Sequence, residues 1–174
     1  QLFYVMNSSL NYVVLRNFEY LPDSKFSKEH GDIDFLVKDL DQAVYITNAK
    51  RLYKKRYTID VSGKNIFIDF EHIGDGSFDS KWQNNILNKR ILLKNSFYIP
   101  ELEDYFYSLI YHILIHKTFI ATDYPRKIEE IYNKLFFNEP DKCNFDNYLK
   151  LLENFLSINK YQICKPKDTS LFFD

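Results

Sequence analysis

A chain of 174 residues, 45% hydrophobic and 18% aromatic with 14 Tyr and 16 Phe, carries enough apolar material for a packed core, which excludes a disordered protein. Its 23 basic and 24 acidic residues leave a net charge of -1, so no global charge announces a nucleic-acid or membrane partner, and nucleic acid is disfavoured. No apolar run is long enough to span a membrane and no signal peptide opens the chain, so a soluble, cytoplasmic protein is expected.

In chain order, QLFYVMNSSLN spaces its apolar side chains as a helix that frays near Asn7 to Ser9. YVVLRNF, residues 12–18, is β-branched and apolar and predicts a first strand. A polar loop leads to DIDFLV, a second strand, after which Asp39 or Asp41 caps a helix expected to run to about Lys55. YTIDV and NIFIDFEHI, joined by SGK, predict a hairpin in which Gly63 takes a positive φ. A short helix in WQNNILNKR and a strand in ILLKNSFYI follow.

From Pro100 the pattern turns helical, in PELEDYFYSLIYHILIHKTFIA, YPRKIEEIYNKLFF and FDNYLKLLENFLSI, with Pro100 and Pro125 where helix starts tolerate proline. The expected fold is α+β: a small mixed sheet within residues 1–99, a helical subdomain over 100–160, and a tail at 161–174 leading to a possible additional domain C-terminal to the chain. The basic run KRLYKKR, residues 50–56, reads as solvated surface. Cys143 and Cys164 lie far apart and in no C-x-x-C, and read as reduced thiols.

Carboxylates interrupt two of the strands. Side chains two apart on a strand share a face, so Asp32 and Asp34 point one way while Ile33, Phe35 and Val37 point the other. Their Cα atoms are then about 6.6 Å apart, near enough for both to converge on one divalent cation or a pair of them. In the later strand Asp69 and Glu71 share a face opposite Ile68 and Phe70. A plainer arrangement has Asp32 capping a turn after Gly31 and Asp34 at a solvated sheet edge. An aspartate pair on one strand with a third acid on the next is what two-metal phosphoryl transfer requires.

Over about residues 10–75, the order YVVLRN, loop, GDIDFLV, helix, FIDFEHI resembles the nucleotidyltransferase superfamily related to DNA polymerase β, which includes the minimal and the aminoglycoside nucleotidyltransferases. The resemblance implies a nucleotidyltransferase-like core in which Asp32, Asp34 and Asp69 are catalytic and hold Mg2+ or Mn2+. The implied reaction moves NMP from an NTP to a hydroxyl acceptor, such as a small molecule or sugar, and releases pyrophosphate. Where the family has a Gly-Ser pair after its first strand, this chain has Arg16 and Asn17. Both are candidate nucleotide-binding residues, Arg16 by pairing with a phosphate.

In EDYFYSLIYHILIHK, Ser108, His112 and His116 fall at i, i+4 and i+8, with Lys117 closing the stripe. By the resemblance, Ser108, His112 and Lys117 bind the nucleotide, Ser108 and Lys117 facing its triphosphate. The same stripe suits packing against the sheet or a partner domain, and H-x-x-x-H suggests zinc but lacks a third ligand. Two other functions stay open: a catalytically inactive domain of the same fold serving as a binding module in a larger protein, and a metal-dependent nuclease. The nuclease pattern wants a lysine where Ile73 stands.

Overall fold

Alternation of apolar and polar residues builds a sheet in the first part of the chain, and helical spacing builds a bundle in the second. A computed structural model describes residues 2–21, 32–117, 123–137 and 144–164. It divides into two compact units, one formed by Gln1–Asp75 with Ser80–Pro100 and the other by Gly76–Asp79 with Glu101–Asp174. The architecture is α+β.

In the first unit α1 (Leu2–Ser9) is followed by β1 (Tyr12–Val14), β2 (Asp32–Val37), α2 (Leu40–Thr47), β3 (Lys50–Tyr53), β4 (Arg56–Val61), β5 (Lys64–His72) and α3 (Ser80–Asn88). A separate hairpin of β6 (Ile91–Leu93) and β7 (Phe97–Ile99) closes it. Five strands form a mixed sheet in the order β1-β2-β5-β4-β3. Only the central β2–β5 pair is parallel; β1–β2, β5–β4 and β4–β3 are antiparallel.

One face of this sheet is the core. Ile33, Phe35, Val37, Tyr57, Ile59, Ile68 and Phe70 are buried, with the Phe35 and Phe70 rings 5.8 Å apart and Tyr57 5.3 Å from Phe70. Burying each such side chain is worth about 1.5–3 kcal/mol. That fixes the parity of β2 and β5, since a slip of one residue would turn the apolar set outward.

Several boundaries differ from those expected of the sequence. The first strand stops at Val14 rather than residue 18, because Asn17 takes a left-handed conformation (φ 58) and starts a 3-10 turn at Phe18–Tyr20. The helix capped by Asp39, whose side chain accepts from the Gln42 amide, ends at left-handed Asn48 instead of reaching Lys55. Lys50–Tyr53 then forms a strand, and a tight turn through Lys54 (φ 50) leads into β4. KRLYKKR offers no apolar stripe to hold a longer helix on a core. The single strand expected in ILLKNSFYI is a hairpin, with Lys94 and Asn95 at φ 47 and 56. The SGK hairpin forms as expected, Ser62 and Gly63 lying at φ 55 and 79. Both turns have the two left-handed positions of a type I′ hairpin.

The second unit is helical. It contains α4 (Leu102–Tyr111), a π-helical turn at His112–His116, α5 (Asp123–Leu135) and α6 (Phe145–Asn159). Phe106, Leu109, Ile110 and Tyr111 are buried together with Phe78 from the Gly76–Asp79 segment. Tyr107 stacks on Phe155 with ring centres 3.9 Å apart, and burial raises its hydroxyl to about 12. Cys143 and the tail beyond Cys164 lie outside the described residues. Among the described residues no helix is long and apolar enough to cross a membrane.

Candidate acidic site

The sheet face opposite the core carries the carboxylates. β2 and β5 run parallel with Asp34 opposite Asp69, Asp32 opposite Phe67 and Leu36 opposite Glu71. In-register neighbours project to the same side of a sheet, so Asp32, Asp34, Asp69 and Glu71 share one face. Their exposure is graded: Asp34 and Asp69 are each 8% exposed and Glu71 1%, while the Asp32 side chain reaches 27%. The open end of the row is thus at Asp32.

Cations answer each acid. Arg16 donates from Nη2 to Asp34 Oδ1 at 2.6 Å and approaches Glu71 Oε1 at 3.4 Å. Lys55 Nζ reaches Glu71 Oε1 at 2.8 Å. Arg56, opposite Asp69 in the β4–β5 register, donates from Nε to Asp69 Oδ1 at 3.0 Å and from Nη2 to Asp32. Among the described residues, three cations therefore meet four carboxylates, a balance of one negative charge when all are ionised.

Burial raises the Asp34 carboxyl above its ordinary value, against the pull of Arg16 and Lys55. Burial works to lower the Lys55 ammonium, but the Glu71 and Asp34 carboxylates together outweigh it and hold the group above the ordinary lysine value. The hydrogen bond to Asp69 raises the Arg56 guanidinium further. Both cations are held charged against the acids.

The sequence-derived candidates fall into two groups. Arg16 lies with Asp32, Asp34 and Asp69 on the acidic face, engaged by carboxylates rather than exposed for a phosphate. Asn17 turns the chain just after Arg16 and takes the left-handed conformation that glycine otherwise supplies. Ser108, His112 and Lys117 belong to the helical unit. Ser108 is buried and donates to the Tyr105 carbonyl, His112 is buried with its ring 5.6 Å from that of His116, and Lys117 is exposed in extended backbone. His116 Nε2 lies 2.8 Å from the Ser77 carbonyl.

Lys55 and Arg56, placed with the solvated surface in reading the sequence, belong to the site. The two-residue turn at Ser62–Gly63 carried the signal, because the register it sets runs on to place Arg56 opposite Asp69.

The donors suit a hard cation: Mg2+ and Mn2+ take carboxylate oxygens, and three acids stand on adjacent positions of two strands. Among the described residues no three His, Cys, Asp or Glu side chains converge as metal ligands. Arg56, bridging Asp32 and Asp69, supplies the positive charge there instead. Comparison with protein-family models, curated proteins and solved structures finds no match to this chain.

Proposed function

We propose that the acidic face is the centre of a metal-dependent nucleotidyl transfer, in which NMP passes from an NTP to a hydroxyl acceptor. The observation that carries this reading is the pairing of Asp34 with Asp69 on parallel strands, with Asp32 one step along the same face at the solvated end. Asp32, Asp34 and Asp69 would hold Mg2+ or Mn2+, which supplies Lewis-acid polarisation of the phosphates when bound.

The chain's own groups would do the rest. Asp69 would take the proton of the acceptor hydroxyl as its oxygen bonds the α-phosphorus, while the bond from that phosphorus to the bridging oxygen breaks and pyrophosphate leaves. Arg56, with a side chain 47% exposed, is free to swing from Asp32 and Asp69 toward the phosphates once a cation neutralises those acids. Asn17 supports the reading by preserving the bend after the first strand that the resembling family makes with glycine.

The test is binding of the four NTPs with Mg2+ or Mn2+, read by thermal shift and calorimetry. At a hundredfold excess over the dissociation constant, a ligand of the folded state adds about 2.7 kcal/mol of stability. Absence of any NTP-dependent or metal-dependent stabilisation would refute the proposal. One observation favours a second reading, a non-catalytic binding module: Arg16, Lys55 and Arg56 neutralise most of the acidic charge without a metal. On that reading the protein binds partner or nucleotide without any response to divalent cation.

A further inference from the structure

From Asp32 the same sheet face continues across the strands into residues that the transfer chemistry does not use. The row runs Asp32, Phe67, Thr58 and Lys50. Phe67 is 45% exposed although it stands at the centre of a sheet, flanked on one side by a carboxylate and on the other by a hydroxyl. Beside it lies a recess of about 90 Å3 lined by Thr47, Asn48, Lys50, Thr58, Asp60 and Asn65. Among the described residues, the Thr58 Oγ1 in that recess is shielded from solvent and has no hydrogen-bond partner.

We infer that Phe67 and this recess form a nucleobase subsite; the inference rests on the nucleotidyl-transfer reading of the acids. An aromatic face left open beside charged groups gains most by covering a flat ring, since stacking removes its apolar surface from water without desolvating the neighbouring charges. The recess is too small for a whole ring and takes an exocyclic edge. Its lining offers both donors and acceptors: the Thr58 hydroxyl, the Asn48 and Asn65 amides, the Lys50 ammonium and the Asp60 carboxylate, which also accepts from the Gly63 amide.

Distance agrees with this assignment. Phe67 and Asp69 are two residues apart on one strand, about 6.6 Å, and Phe67 and Asp32 are strand neighbours about 4.8 Å apart. A ribose spans such a gap between a base stacked on Phe67 and an α-phosphate at the acids. A docked protein is the weaker occupant, because Phe67 is bordered in its own row by Asp32 and Thr58 rather than by further apolar side chains.

The experiment is calorimetric titration of wild type, Phe67→Ala and Phe67→Trp, each with Mn2+, using the four NTPs and inorganic triphosphate. Expected for Phe67→Ala is a loss of roughly 5- to 150-fold in affinity for the preferred NTP, the range for one base on one aromatic ring, with triphosphate affinity unchanged. Phe67→Trp keeps NTP affinity within a few-fold, which separates loss of the ring from loss of the fold. The subsite is overturned if Phe67→Ala binds NTPs as wild type does, if it loses triphosphate equally, or if wild type binds triphosphate as tightly as any NTP. A wild type that binds neither triphosphate nor NTP overturns the transfer reading itself, and the subsite with it.

Discussion

Replacing Arg16 with methionine removes the guanidinium between Asp34 and Glu71 while keeping most of its volume. Glu71 retains Lys55 at 2.8 Å, but Asp34, 8% exposed, loses its 2.6 Å partner. Removing one member of a buried ion pair costs about 3–5 kcal/mol. The lower end is expected here, because burial already raises the Asp34 carboxyl and protonation offers it an escape from an unpaired charge.

The sign with pH follows. A carboxyl raised in the folded state binds more protons there than when unfolded, so its contribution to stability falls as pH rises from the ordinary value toward the raised one, and is flat above. Without Arg16 that window extends upward, and the deficit of the variant is largest at neutral pH and narrows on acidification. Urea denaturation of both proteins in EDTA, between pH 5 and 8, measures this. Saturating Mn2+ should recover up to about 2.7 kcal/mol of the loss at a hundredfold excess over its dissociation constant. A cost below about 1 kcal/mol at neutral pH, typical of an exposed pair, would refute the buried-pair argument, and a full cost that Mn2+ leaves untouched would refute the metal role of Asp34.

Three further outcomes are expected. Asp34→Asn keeps an oxygen for Arg16 and should leave the unfolding free energy from urea denaturation within about 1 kcal/mol of wild type, while abolishing Mn2+-dependent NTP binding; retained metal binding would remove Asp34 from the site. Arg56→Ala should strengthen Mn2+ binding roughly two- to fivefold by freeing Asp32 and Asp69, the modest size reflecting how exposed the Arg56 side chain is, and unchanged affinity in a Mn2+ titration would show that Arg56 does not compete with the cation. His116→Phe removes the bond to the Ser77 carbonyl and should cost about 1 kcal/mol or more, read from the helical signal during denaturation; a neutral effect would make that bond dispensable.

The sheet was legible where local chemistry and tertiary burial agree. Alternation in DIDFLV and NIFIDFEHI set which residues face the core, and the aspartates followed by parity onto one face. The hairpin at Ser62–Gly63 has a glycine to announce it; the one at Lys94–Asn95 has none, so its sequence is indistinguishable from a continuous strand. Lys50–Tyr53 carries no such mark, because its four side chains are exposed and no apolar alternation distinguishes the strand. The partners of the acids were hidden for another reason: Arg16 and Asp34 are 18 residues apart and Arg56 and Asp32 are 24 apart, and only the folded register brings them together. Ser108, His112 and His116 follow helical spacing, but spacing alone does not separate a binding stripe from a buried one, and all three are buried within the helical unit.

The short segment Gly76–Asp79 has a consequence for anyone who would cut this protein apart. It belongs to the helical unit, yet the chain on either side of it, up to Asp75 and from Ser80, belongs to the sheet unit. A fragment beginning at Glu101 would therefore lack Phe78, 1% exposed in the helical core, the Ser77 carbonyl that meets His116 and the Asp79 carboxylate that accepts from the Gln162 amide. Neither unit corresponds to an unbroken stretch of sequence. A protease nick near Pro100 should yield two pieces that stay associated through the threaded segment, whereas expression of the helical piece alone should give a chain missing part of its own interior.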